Sequence, residues 1–379
     1  MDKTIGLACN ISTGKLDANQ AVSGGEYPFF TCAEFPDQID HFAYDDDVVL
    51  VAGNNARGNF HVSRYKGKFN AYQRTYILTA KEGFNIDYVY YALKLELKRL
   101  REKSQGSQTK FLTMPILTGI HFRDITGDEQ TEIANVLSVI DQKIELNNRI
   151  NAELEAMAKT LYDYWFVQFD FPDDSPQGQG KPYKTSGGKM VYNPTLKREI
   201  PEGWSDGIIS DVIGKVPQAM KVLAKEFQDN GKVPVIDQSQ SYICGFTDDE
   251  TATIQPESAH VIFGDHTRAV KLVNFDYARG ADGTQVLVAK SDKVPSYLLY
   301  QIVSDIDLSS YGYARHYKFL KESKCVIPRA EVSQRYQNTV KHWHEKIRDN
   351  IFQNYELERL RDWLLPMLMN GQVTVGEAS

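Results

Sequence analysis

Cysteine is scarce in this chain. There are four in 379 residues, Cys9, Cys32, Cys244 and Cys325, and no two form a CxxC pair. That spacing argues against a zinc knuckle, a redox motif or a disulfide framework. Long apolar runs are also lacking: none approaches the roughly 18 residues of a membrane span. The start, Met1-Asp2-Lys3-Thr4, has no basic stretch followed by an apolar one, so no signal peptide is expected. These absences together predict a soluble cytoplasmic protein with reduced thiols and no membrane partner.

A basic excess is missing too. The 43 Lys and Arg face 50 Asp and Glu, a net charge of −7. That total disfavours nucleic acid, but the acid is unevenly spread. Residues 1–125 carry 15 basic and 14 acidic side chains, whereas residues 126–205 carry 8 and 13. Residues 206–330 carry 14 and 16, and the remainder 6 and 7. A DNA contact needs a local basic surface, not a basic total.

Catalytic motifs are wanting as well. Gly53 and Gly58 have a Walker A spacing, but Asn59 stands where the phosphate-binding lysine belongs. Gly188-Lys189 runs into Met190, which cannot ligate magnesium. Asn193-Pro194-Thr195-Leu196 lacks the second proline and the aromatic of an amino-methyltransferase signature. Glu96 and Lys98 lie on a helical pattern, not in a nuclease strand. The most catalytic-looking string is Gly264-Asp265-His266-Thr267-Arg268, yet no second His/Asp cluster has ligand-like spacing.

What the chain does contain is itself, twice. Gln142-Lys143-Ile144 matches Glu345-Lys346-Ile347, and Glu153-Leu154-Glu155 matches Glu356-Leu357-Glu358, both at an offset of 203. Gly14-Lys15 with Gly214-Lys215, Gly25–Pro28 with Gly231–Pro234, and Lys110–Leu112 with Lys318–Leu320 keep the same order at offsets of 200 to 208. A tandem duplication follows. Each half opens with a mixed α/β part. In the first, Val48–Ala52 and Arg74–Thr79 read as strands, bounded by turn signals at Asp45–Asp47 and Gly53–Asn55, and a helix spans Ile86–Lys103. In the second, Ala259–Phe263, Val270–Val273 and Gln285–Ala289 are strand-like and Ser296–Ser304 is helical.

Each half closes with a long helix, the first capped by Thr126 or Asp128. Ile133, Leu137, Ile140, Ile144, Asn147, Asn151, Leu154, Ala158, Leu161 and Trp165 alternate at spacings of four and three, a coiled-coil seam. The second seam runs Tyr336, Val340, Trp343, Ile347, Asn350, Asn354, Leu357, Arg361, Leu364 and Leu368. Each helix would span roughly 50 Å. A pseudo-twofold duplication pairs the helices antiparallel, setting Asn147 against Asn354 and Asn151 against Asn350. Ile140 then meets Arg361, whose stem would snorkel. Phe171–Trp204, rich in Gly, Pro, Lys and Ser, reads as an ordered loop or linker between the halves. Val139, Leu146, Ile150 and Met157, with Val136, add apolar surface outside the first seam, which predicts further helix packing by a partner.

Polar loops sit at equivalent places in both α/β parts. The first set offers Arg57, Arg64, Lys66, Lys68, Arg74, Gln108 and Lys110. The second offers His266, Thr267, Arg268, Arg279, Arg315, His316 and Lys318. Arginine grips guanine O6/N7, glutamine grips adenine N6/N7, and Lys, Ser and Thr suit phosphates.

Asp141–Asn148, Leu154–Ala158, Tyr162–Phe171, Lys181–Tyr183, Ser186–Met190 and Ile200–Trp204 resemble the central region of specificity subunits of type I restriction–modification systems. Leu360–Gln372 is similar to that family's C-terminal region, and Phe263–Arg268 with Gly280–Gly283 and Arg315–Tyr317 looks like one subclass of its target-recognition domain. The first half starts only three residues before the position equivalent to the one that follows Trp204, shorter than the family pattern. The resemblance implies an α+β fold of two tandem target-recognition domains, at 1–126 and 205–330. Central and C-terminal helices at 127–170 and 331–372, with a connecting loop at 171–204, would separate them as an antiparallel coiled coil. It implies a non-catalytic subunit that reads a bipartite double-stranded DNA site and docks two methylation subunits and restriction subunits. S-adenosylmethionine, ATP and magnesium would belong to those partners, with no cofactor or metal in this chain. Two rivals remain from the residues alone: a metal-dependent enzyme using Asp265-His266, and a coiled-coil scaffold.

Overall fold

A computed structural model describes residues 3–54, 60–103, 111–176, 178–216, 219–281, 283–312 and 315–376. The chain divides into two compact units, Met1–Asn147 with Gln353–Ser379, and Asn148–Phe352. Both long helices, Gly127–Tyr162 and Ala330–Met369, are cut by this division.

The first unit is built on a six-stranded sheet in the order Cys9–Thr13, Thr75–Ala80, Tyr44–Ala52, Val62–Ala71, Tyr27–Phe30, Asp37–Ile39. Strand residues alternate faces, so one strand feeds two cores. Val49 and Val51 join Tyr88, Val89, Ala92 and Leu95 of the helix Ile86–Lys103, and with them Ile133, Leu137, Leu365 and Leu368 of the long helices. Val48 and Leu50 face the other way, against Phe30, Phe69 and Ile77.

Two sequence expectations change here. Asp45–Asp47 is not a turn but part of the strand Tyr44–Ala52, and Arg64–Lys68 is not a loop but part of Val62–Ala71. The two charged stretches pair: Asp45 stands opposite Lys68 and Asp47 opposite Lys66. Cross-strand opposite charges stabilise a ladder that neither stretch would favour alone.

The second unit has a three-stranded sheet, Val270–Val273, His260–Gly264 and Thr284–Leu287, and a five-stranded one. The latter contains Lys221–Val222, Tyr277–Gly280, Val233–Ile236 and Gly245–Thr247, with Thr253–Ile254 also pairing Tyr277–Gly280. Val261 and Phe263 face the large core with the helix Ser296–Asp305, while Ile262 faces Val273 and Val286.

The Gly- and Pro-rich stretch 171–204 belongs to this core. Phe171 stacks on Trp204 at 5.1 Å and on Tyr183 at 4.7 Å, and Phe169 meets Trp204 edge-on at 5.6 Å. A hairpin of Met190–Asn193 and Arg198–Pro201 completes the stretch. Of the two sequence readings, ordered loop or linker, the burial of its aromatics decides for the ordered one.

The same frame opens and closes both α/β regions. Lys3–Thr4 pairs antiparallel with His121–Phe122 just before one long helix, and Ser205–Ile208 pairs with Lys324–Ile327 just before the other. A short helix follows each first strand, Ile5–Ala8 and Ile209–Val212.

The first long helix starts on a reciprocal cap. Thr126 Oγ1 accepts the Glu129 N–H at 3.2 Å, and Glu129 Oε2 accepts the Thr126 N–H at 3.1 Å. It is α-helical to Tyr162, then widens into a π turn over Asp163–Val167. The second contains Pro366 in its last turns. Among the described residues, no helix is long and apolar enough to cross a membrane.

Within the first unit, Asn147 Nδ2 donates to Asn354 Oδ1 and to Gln353 Oε1, both at 2.8 Å. Arg361 reaches Asp141 at 2.8 Å, and the Tyr91 hydroxyl donates to the other oxygen of that carboxylate, also at 2.8 Å. Arg361 therefore ends in an ion pair and does not snorkel past Ile140. Within the second unit, Asn350 Nδ2 donates to Asn151 Oδ1 at 2.8 Å, and the Tyr336 hydroxyl donates to the Ala158 carbonyl at 3.1 Å. In each unit the partner's number falls as the first rises, so the paired segments run in opposite senses. Leu137, Ile144 and Ile347 are buried with the asparagines Asn147, Asn350 and Asn354, whereas Leu154, Leu161, Leu357 and Leu364 are half-buried.

Candidate nucleic-acid interface

In the second unit, the strand His260–Gly264 turns through a tight loop into Val270–Val273. Asp265, 5% exposed, is the hub of that loop. Its N–H donates to the Gly283 carbonyl at 2.7 Å. Its carbonyl accepts the His316 N–H at 2.9 Å, and the His316 ring Nδ1 lies 3.0 Å from the same oxygen. Its carboxylate accepts the Tyr317 N–H at 2.8 Å. Gln238 grips the far side: its Oε1 accepts the His266 N–H at 3.1 Å, and its carbonyl accepts the Thr267 hydroxyl. Gly283 has φ +74°, and a Cβ there would lie 2.5 Å from Gln238 Oε1, so only glycine fits.

This scaffold fixes Arg268 at φ 61°, a conformation uncommon for a residue with a side chain. The Arg268 N–H donates to the Gly264 carbonyl at 2.8 Å. The outcome is that His266, Thr267, Arg268, Arg315 and Lys318 are exposed around one buried carboxylate. Asp307 lies close enough for Arg268 to help lower its carboxyl pKa, after the larger effect of the Ser309 N–H. His316 and Arg279 serve differently. The His316 side chain is 3% exposed and ties Arg315 to the loop. Arg279 Nε donates to the Thr284 carbonyl at 2.9 Å, and burial pulls its pKa below the usual value.

In the first unit the corresponding side chains are less uniform. Arg64 is committed internally. Its Nε meets Asp87 at 2.6 Å, its Nη1 donates to the Val48 and Tyr65 carbonyls at 3.2 and 3.0 Å, and it pairs with Asp47. Burial opposes its charge, but the two carboxylates outweigh that and raise its pKa. Lys66 is exposed and 3.6 Å from Asp47, and Lys68 lies over the Phe42 ring at 4.6 Å. Arg57, Gln108 and Lys110 lie outside the described residues.

The anchors of that region are nevertheless gathered. Asn54 bridges to Phe111, the Leu112 N–H donates to the Gly53 carbonyl at 3.0 Å, and the Gly53 N–H donates to the Arg74 carbonyl at 2.8 Å. A Cβ on Gly53 would lie 2.5 Å from that oxygen, which explains glycine there. Arg74 is exposed at this end of the sheet.

On the long helices, Val139 is 63% exposed, Met157 49% and Leu146 38%, with Ile150 half-buried. The Asp265 carboxylate accepts the Tyr317 N–H on one oxygen, and among the described residues no three His, Cys, Asp or Glu groups gather to hold an ion. Sequence reasoning missed Gln238, which no motif marks, and although it singled out the string around Asp265 it missed that residue's role as a hub, because that role is set by loops distant in sequence.

The chain is similar to known proteins in sequence and in fold. A family profile described as "Type I restriction modification DNA specificity domain" matches residues 2–156. The chain is 40% identical over 157 residues to the EcoDI type I restriction enzyme specificity subunit of Escherichia coli, a stretch covering 41% of this chain and 34% of that protein. It thus spans about a third of the length of that relative. It is 25% identical to the MjaIX specificity subunit of Methanocaldococcus jannaschii, over 78% of this chain and 71% of that one. In fold it is similar to a type I restriction–modification S subunit from M. genitalium, with a TM-score of 0.62 at 17% identity, covering 97% of this chain and 96% of the other.

Proposed function

Since the chain belongs to the family of type I restriction–modification DNA specificity subunits, we propose that it reads a bipartite, asymmetric double-stranded DNA site, one half through each α/β region. It is a non-catalytic subunit. The two halves arose by duplication, and the long helices pair as an antiparallel coiled coil. Methylation subunits, two of them, dock on the helices at the exposed Val139, Leu146 and Met157 and the half-buried Ile150, and restriction subunits join that complex. S-adenosylmethionine, ATP and magnesium act in those partners. The protein meets its DNA target in the cytoplasm.

The observation that carries this reading is the Asp265 hub, around which His266, Arg268, Arg315 and Lys318 are exposed. Arg268 and Arg315 supply base contacts, while Thr267 and Lys318 reach phosphates. Arg74 serves the other half-site with Arg57, Gln108 and Lys110. Lys66 and Lys68 add phosphate contacts weakened by Asp45 and Asp47, and Arg64, Arg279 and His316 hold the reading surfaces in shape. Methylome sequencing of cells carrying the intact system tests it: the expected result is one interrupted adenine-methylated motif. Substituting Arg268 and Arg315 by Ala should then relax one half of that motif and leave the other intact. Loss of specificity in neither half would overturn the assignment.

A further inference from the structure

A cleft of about 380 Å³ lies on the first unit, lined by Phe60, His61 and Val62 and by Lys94, Leu97, Lys98 and Arg101 of the helix Ile86–Lys103, with Glu34 its one acidic wall. Lys94, Lys98 and Arg101 stand at i, i+4 and i+7, so they share a helix face. The opposite face, with Val89 and Ala92, is buried in the core, which fixes the direction in which the cations point. Lys98 and Arg101 are exposed, and Lys94 is half-buried with its ammonium 5.0 Å from the Tyr90 ring. The floor is apolar and the rim cationic. That combination suits a sugar–phosphate strand, whose sugars present carbon and whose phosphates present one negative charge per nucleotide.

Position favours DNA over an acidic protein. Phe60 and His61 lie just beyond Arg57 in the chain, and Asn54, Phe111, Gly53 and Arg74 meet at one end of the sheet. The Ala52 N–H donates to the His61 carbonyl at 3.0 Å and the neighbouring Gly53 N–H donates to that of Arg74, so the cleft lies beside the strand end that carries Arg74. None of its cations stands out in the sequence, because Lys94, Lys98 and Arg101 look like the ordinary solvated face of a helix.

We propose that this cleft seats the phosphate backbone beside the first half-site, with Lys94, Lys98 and Arg101 neutralising phosphates and no base read by them. The inference rests on the DNA-binding function proposed above. The test is a salt titration of duplex binding, followed by fluorescence anisotropy, with the full-length chain in its methylation complex. The duplexes carry the methylome-derived motif or a scrambled one. Each neutralised phosphate contributes about 0.9 to the slope of log affinity against log salt. The Lys94→Gln/Lys98→Gln double variant should lose about 1.8 of that slope, so that across a fourfold rise in salt the wild type loses about tenfold more affinity than the variant. The ratio of specific to scrambled affinity should stay unchanged, and Lys98→Arg should keep the wild-type slope. Lys94→Arg/Lys98→Arg, which preserves charge, controls for folding.

An unchanged slope in the Gln variant, beside a wild type that binds its motif, overturns the cleft alone. An unchanged slope with loss of a co-purifying subunit also overturns it and assigns the cleft to an acidic protein surface. A wild type with no salt-dependent binding removes the parent reading, and the cleft with it.

Discussion

The two α/β regions share a frame and differ in what they build on it. Lys3–Thr4 with His121–Phe122 and Ser205–Ile208 with Lys324–Ile327 close each region in the same way. Inside, one region is a single six-stranded sheet and the other splits into sheets of five and three. One sets its arginine Arg64 inward against two aspartates; the other exposes Arg268 and Arg315 around a buried aspartate. The two regions thus keep in common the elements that join each to its long helix and differ in those that face outward. On the function proposed above, two different surfaces would read the two halves of an asymmetric site.

Four outcomes break or sharpen that contrast. The largest effect belongs to the aromatic stretch present in the second unit. Trp204→Ala removes the stack on Phe171 and the edge contact with Phe169. It should cost about 3–5 kcal/mol. Hydrogen exchange by mass spectrometry should show that loss within 148–352 and spare 3–137; uniform loss across both would show the regions to be one cooperative block.

Acid should separate them next. His344 and His260, both in the second unit, are held to a pKa of about 4 by burial, against an unfolded value of about 6.5. Burial disfavours the charged ring of His344, stacked 5.1 Å from Tyr297, and of His260 alike. The sign follows from the depressed values. Both rings are neutral when folded, so their contribution is fully present above pH 6.5 and is lost as pH falls from about 6.5 towards 4, where the unfolded chain takes up more protons. The loss is on the order of 3 kcal/mol per ring. A urea midpoint for the second unit that falls over this window, and falls less in His344→Phe, is the expected result. A midpoint flat between about pH 7 and 4.5 would contradict it.

Binding should follow the exposed arginines and not the internal one. Arg268→Ala should cost about 1–3 kcal/mol in site-specific affinity and relax one position of one half-site. Arg64→Ala should lower stability and leave the methylated motif unaltered, because its hydrogen bonds are spent within the unit. A changed motif in Arg64→Ala would place that side chain against DNA after all.

The smallest effect is expected at Lys66. It is exposed, and its 3.6 Å pair with Asp47 is worth under about 0.5 kcal/mol. Thermal denaturation of Lys66→Ala should therefore be nearly unchanged, and a large drop would mean that the charged ladder matters more than an exposed pair can explain.

Much of this protein is written in its residue order. The heptad spacing from Ile133 to Trp165 and from Tyr336 to Leu368 specifies two long helices, and the asparagines at 147, 151, 350 and 354 specify which residues meet. Asn147 with Asn354 and Asn151 with Asn350 are hydrogen-bonded at 2.8 Å. Local periodicity sets these features, and a buried amide satisfies itself best against another amide. Strands such as Val270–Val273 and the helix Ile86–Lys103 follow from pattern in the same way. Tertiary structure alone decided the rest. Asp45–Asp47 became a strand because Lys66 and Lys68 lie opposite, and 171–204 became core because Phe171 and Trp204 found partners. Of the candidate cations, Arg268 is exposed while Arg64 and His316 turn inward, since Asp47, Asp87 and Asp265 reach them from other segments. Whether a charge is free to meet DNA depends on neighbours brought from far along the chain, and no local spacing records them.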